Sequence, residues 1–219
     1  MAQLFHRSAN NIAKASIIVA IVLAGVVGYV YTQVARSSYL TGRYLEKQQP
    51  VQFSHKHHTG DDGIDCRYCH TAVETSYSAG IPPTQTCMNC HSQIWADSPY
   101  LEPVRASYRD NKPIEWIRVH DLPEYAYFNH SAHVNKGVGC SSCHGDIASM
   151  PAVYQENTLQ MEWCLSCHRE PEKYLRPQSE IYNTKWDVNN LNDEQRLQLK
   201  ADYKIRTKEM LTSCSTCHR

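Results

Sequence analysis

Ten cysteines stand in five Cys-x-x-Cys pairs, and a histidine follows each pair at once. The pairs are Cys66 and Cys69 before His70, Cys87 and Cys90 before His91, Cys140 and Cys143 before His144, Cys164 and Cys167 before His168, and Cys214 and Cys217 before His218. No cysteine is left over. Two thiols at this spacing add to the two vinyl groups of a haem, and the adjacent imidazole reaches the iron from the proximal side, so the pattern is that of c-type haem attachment. Other chemistries account for less. A redox disulfide does not require the histidine. Zinc sites usually combine two such pairs, and five is an odd number. With 12 histidines in 219 residues, all five pairs would acquire one by chance roughly once in two million sequences. The expected cofactors are five covalently bound haem c, and thioether attachment of this kind takes place outside the cytoplasm.

Each iron has a second axial position. Apart from His6, the histidines outside the motifs are His55, His57, His58, His120, His130 and His133. His55 and His58, like His130 and His133, are three residues apart, so one helical turn would point both along one face toward two neighbouring haems. The spacing assigns His55 to the haem on Cys66 and Cys69, and His130 to the haem on Cys140 and Cys143. His120 is the remaining distal ligand, and His57 is spare. Met150, Met161 and Met210 lie near haem pairs, and Met/His ligation at one of them would raise its potential. Iron held on both faces has no open position for substrate. No pair ends in Lys in place of His, and no other catalytic set stands out. The expected task is carrying electrons, with no catalytic site in this chain.

Two levels of organisation must position these groups. Residues 15–35 carry no charge over 21 positions, close to the roughly 20 that span hydrocarbon as a helix. The apolar run continues past a passable cleavage site at Val22-Leu23-Ala24, so an uncleaved anchor is expected rather than a signal peptide. Flanking charges (Arg7 and Lys14 before it; Arg36, Arg43 and Lys47 after it) do not settle orientation. The haem sites do: residues 1–14 are cytoplasmic, and the C-terminal part faces the periplasm of a bacterial inner membrane crossed once. His6 is then on the wrong side to reach iron. Ser16, Ala20, Ala24, Gly28 and Thr32 recur every four residues, a stripe of small side chains that admits a partner helix.

After a polar linker at 36–50 the chain repeats. Phe53-Ser54-His55-Lys56-His57-His58 precedes Cys66, and Phe128-Asn129-His130-Ser131-Ala132-His133 precedes Cys140. This reads as a duplicated two-haem module at 51–100 and 128–175, with a connection at 101–127 and the fifth haem on an extension at 176–219. Ser98-Pro99 predicts a short helix to about Asp110. Asn192 and Gln195 resemble a capping box, which predicts a helix over 193–210. Elsewhere periodicity is weak. The fold class expected is a mainly α and irregular multihaem cytochrome c with one N-terminal transmembrane helix and little sheet.

Composition agrees. Leu, Ile, Val and Phe make up 28 of the 179 residues in 41–219, below the roughly 20% at which a chain is doubted to build its own core. Haem macrocycles would fill that interior. Lys+Arg and Asp+Glu both total 22, and the haem propionates add further negative charge. Such a balance excludes a basic nucleic-acid binder.

One helix at the N-terminus, five Cys-x-x-Cys-His sites and two Phe-x-His-x-x-His blocks resemble the pentahaem cytochrome c subunit of alternative complex III. The paired modules are also similar to class III cytochromes of the c7 type. The resemblance implies oxidation of membrane quinol by polytopic partners. An iron–sulfur subunit would feed this chain, which would deliver electrons to a monohaem cytochrome c, another soluble carrier or a terminal oxidase. Two rivals are a stand-alone membrane quinol dehydrogenase feeding a periplasmic reductase, and a multihaem reductase with a high-spin haem.

Overall fold

A computed structural model describes residues 5–218. The chain divides into two compact units, Met1–Arg43 and Tyr44–Arg219. In the first, α1 runs Ala9–Arg36 and a single turn, α2, follows at Ser38–Thr41. α1 has 28 residues, about 42 Å at ~1.5 Å per residue. By length and composition it could cross a membrane. The uncharged stretch 15–35 lies within it, and helix continues into the polar flanks on both sides. Ser16 and Thr32 donate their hydroxyls to the carbonyls of Ala13 and Tyr29, at 2.9 and 2.7 Å, so neither leaves a polar group bare.

The second unit is built from short pieces: a π-helical turn at Lys56–Asp61, α3 Cys66–Cys69, α4 Thr84–His91, α5 Glu102–Asp110, α6 His130–Val134, α7 Cys140–His144, α8 Met161–Arg169, α9 Asp193–Asp202, α10 Lys208–Leu211 and α11 Cys214–Cys217. Among the described residues pairing of β type is confined to isolated bridges, such as that of Val138 to Leu175. Every Cys-x-x-Cys pair lies on a helix, where one turn brings both thiols to the same side. Few apolar side chains are buried: Val51, Val73, Val104, Val134, Met150, Leu175 and Ile181. That is a thin core for some 175 residues, as the composition requires.

The two Phe-x-His-x-x-His turns are braced by remote segments. The amides of His130 and Ser131 donate to the carbonyls of Tyr77 and Ser76, both at 3.1 Å. In the His57 turn the Lys56 amide donates to Met150 O at 3.0 Å. Gly60 approaches so closely that any Cβ would strike the Ala148 carbonyl.

Two sequence expectations about helices meet different ends. Ser98-Pro99 opens a 3₁₀ turn that runs into α5, which stops at Asp110 with Asn111 left-handed at φ 49°. The capping box is present, with Gln195 N to Asn192 Oδ1 at 2.8 Å and Asn192 N to Gln195 Oε1 at 3.0 Å. The single helix over 193–210 is not. It breaks after Asp202, and a separate α10 starts behind its own cap, Thr207. Tertiary anchors account for the break. Tyr203 donates its hydroxyl to Arg176 O at 2.9 Å, Lys136 Nζ donates to Tyr203 O at 2.7 Å, and Lys204 turns left-handed at φ 50°.

Replacing Gly60 with Ala should force the Lys56–Asp61 turn off the Ala148 carbonyl, at a cost of about 1–3 kcal/mol. Urea unfolding followed at the Soret band of the holoprotein would show it as a lower midpoint with little change in slope.

Candidate haem-binding sites

Each motif histidine is presented by the end of its own short helix, and at four of the five the outer nitrogen is held by a backbone carbonyl. Nδ1 of His70 meets Gly80 O at 2.7 Å, that of His91 meets Ile94 O at 3.0 Å, that of His168 meets Leu211 O at 2.8 Å, and that of His218 meets Tyr125 O at 2.9 Å. Three of the four repeat histidines are held the same way: His58 by Ser54 O at 2.9 Å, His130 by Tyr77 O at 2.9 Å, His133 by Asn129 O at 2.7 Å; Nδ1 of His55 is buried without such a bond. A carbonyl can only accept, so Nδ1 carries the proton and Nε2 keeps its lone pair free for a metal.

Four pairs of rings face each other at nearly constant spacing. Ring centres are 6.4 Å apart for His55 and His70, 6.0 Å for His58 and His91, 6.4 Å for His130 and His144, and 6.2 Å for His133 and His168. Two metal–nitrogen bonds of ~2 Å, plus ~1.1 Å from each nitrogen to its ring centre, add to roughly 6 Å. The residues therefore fit an iron held between two imidazoles, with a porphyrin plane between them. Among the described residues no three His, Cys, Asp or Glu side chains converge as a cage for a bare metal ion. All ten cysteines are free of disulfides.

For three of these imidazoles burial favours the neutral form, which is the ligating one. His55 is pushed down to about 4 by burial and then by His70 and His58. His144 falls to about 3 through burial and then His120 and His130. Burial also lowers His133, against the opposing bond to Asn129, and raises the Cys143 thiol to about 12.

One role was not visible in the motif. Phe53 stands edge-on to His55 at 4.9 Å and stacks on His58 at 4.5 Å. Phe128 repeats this on His130 at 4.8 Å and His133 at 4.5 Å. Each Phe wedges a histidine pair apart toward two different partners. The signal was there: the chain has only three Phe, and two of them occupy equivalent places in the repeat. Arg176 was also missed. It is 2% exposed, and its guanidinium reaches Ser141 and Ser142 Oγ at 3.2 and 3.1 Å, bracing the loop between Cys140 and Cys143.

The remaining candidates lie elsewhere. His57 points outward, 3.6 Å from Asp62 and stacked on Trp95. His6 belongs to the other unit. His120 stands 4.2 Å from His144, and the ring neighbour of His218 is Tyr125, at 5.9 Å. Met150 is buried in the core, whereas Met161 and Met210 are exposed.

Thiols of different motifs also lie near one another: Cys69 by Cys87 and Cys90, Cys66 by Cys140, Cys143 by Cys164 and Cys167, and Cys164 by Cys217.

Fold and site together define a c-type cytochrome that binds several haems covalently. The family model for cytochrome c7 and related cytochrome c matches residues 126–219, and that for the class III cytochrome c family matches residues 32–112. The chain is 31% identical to the menaquinone reductase multihaem cytochrome c subunit of Nitratidesulfovibrio vulgaris, over 57% of this chain and 70% of that protein. It belongs to the family of these class III and c7-type multihaem cytochromes.

Replacing Phe128 with Ala removes the wedge between His130 and His133. A fraction of high-spin iron should then appear in the electron paramagnetic resonance (EPR) spectrum, and Phe128→Tyr should retain the parent signal.

Proposed function

We propose that this chain is the haem wire of a membrane quinone-oxidoreductase complex, of the alternative complex III kind. It holds five haem c groups, one on each Cys-x-x-Cys-His motif. The observation that carries the reading is the set of four facing imidazole pairs at 6.0–6.4 Å. His55, His58, His130 and His133 serve as distal ligands to the irons of His70, His91, His144 and His168. Iron fixed between two imidazoles changes its coordination little on reduction. It is suited to passing electrons and closed to substrate.

The neighbour relations of the attachment helices support a path from the second haem to the first, then to the third, fourth and fifth. On that path the first and third haems lie side by side near the centre, and the backbone bonds that tie the His130 and His57 turns to remote segments support that arrangement. In this reading α1 anchors the chain in the bacterial inner membrane, with the haems on the periplasmic side. An iron–sulfur subunit and a monohaem cytochrome c or terminal oxidase are the partners at either end. The name of the Nitratidesulfovibrio relative favours a second direction, toward menaquinone. A wire conducts either way, and the potentials of its partners decide.

The test is haem-stained native electrophoresis of membranes solubilised in mild detergent, with subunits identified by mass spectrometry. A large band containing iron–sulfur and polytopic subunits is expected, and the intact mass of this chain should exceed that of its polypeptide by five haems. A small band holding this chain alone, yet oxidising quinol, would overturn the wire in favour of the stand-alone dehydrogenase.

A further inference from the structure

Arg176 is a buried cation, 2% exposed, and every hydrogen-bond partner of its guanidinium is neutral. Nη1 donates to the carbonyls of Glu180 and Asn183 at 3.3 and 3.1 Å, and Nη2 to the hydroxyls of Ser141 and Ser142 at 3.2 and 3.1 Å. Nε is buried and makes no hydrogen bond. The Glu180 carboxylate is turned to Asn183 Nδ2, at 2.8 Å. Arg67 behaves otherwise: it sits half-exposed between the first two motif cysteines, and Asp65 meets its charge at 2.9 Å. A buried charge without a counter-charge is costly, and a guanidinium cannot escape that cost by losing its proton. Arg176 is also pressed against the attachment segment. A Cβ on Gly139 would strike its Cζ and Nε, and Cys140 and Cys143 both lie near it.

We propose that Arg176 sets the potential of the haem attached at Cys140 and Cys143, its buried charge making that haem more readily reduced than its two imidazoles alone would. This rests on the reading of that motif as a haem site. Reduction takes one electron from a neighbouring haem, turns ferric iron into ferrous and removes one positive charge from the site; oxidation passes the electron on. A fixed cation in low-dielectric surroundings disfavours the ferric state more than the ferrous, so the midpoint rises. The four hydrogen bonds hold the charge in place, and burial keeps salt from screening it.

The experiment compares the full-length holoprotein with Arg176→Gln, which keeps donors without charge, and Arg176→Lys, which keeps charge without the fork. A spectroelectrochemical titration reads midpoints, and EPR counts low-spin haems. For Arg176→Gln the low-spin count should stay as in the parent. One midpoint should fall by an amount that makes that haem about tenfold less reduced at a given potential, ~59 mV for one electron. Arg176→Lys should stay near the parent value. Unchanged midpoints in Arg176→Gln would overturn the proposal, and so would an equal fall in both variants, which would leave Arg176 a brace alone. A second measurement needs no variant. The first and third haems stand at equivalent places in the repeat, each between imidazoles 6.4 Å apart. Haem-resolved NMR of the parent during reduction should give the third the higher midpoint; a third haem at or below the first would overturn the proposal. A parent without haem on the peptide holding Cys140 and Cys143 would instead sink the attachment reading beneath it, and the two failures are thereby distinct.

Discussion

A hydrogen bond from an imidazole to a backbone carbonyl is the interaction on which the rest of this structure depends. It settles which nitrogen of each ring is free and fixes where that nitrogen points. Seven histidines are held in this way. The carbonyls come from places as far off in sequence as Tyr77 for His130, Leu211 for His168 and Tyr125 for His218. Those three bonds are therefore also ties between remote segments. Irregular chain, which offers many carbonyls not already used in helix or sheet, is well suited to supplying them.

Such a design explains the weakness of the ordinary core. Buried aliphatic side chains are few, and half-buried histidine rings stand in pairs about 6 Å apart. The polypeptide is arranged around planar groups it does not itself contain, and covalent attachment commits each group to one place. Small clusters such as Val73, Val134 and Ile181 act as spacers between these sites. The two Phe wedges and Arg176 hold ligand turns and attachment loops at their working angles.

Duplication gives the unit its economy. The Phe-x-His-x-x-His turn occurs twice with nearly the same ring geometry, although one copy is π-helical and the other α-helical. Each copy leans on the segment around the other, through Tyr77 and Ser76 in one case and Met150 in the other.

The nearly sheet-free helical fold, the multihaem cytochrome c class and the long apolar N-terminal helix were legible in the residues, because each follows from local spacing and composition. The turn between Cys66 and Cys69 is the same in any fold, and His55 and His58 share a face on any helical turn. The break after Asp202 was not legible, because Tyr203 answers to Arg176 and Lys136, which are far off in sequence. Nor was the place of His120, whose flanking residues say nothing of His144. Spacing along the chain is enough to name the groups that can meet an iron. The order of the sites in space, and what stands behind each ligand, depends on carbonyls and side chains brought together only when remote segments pack.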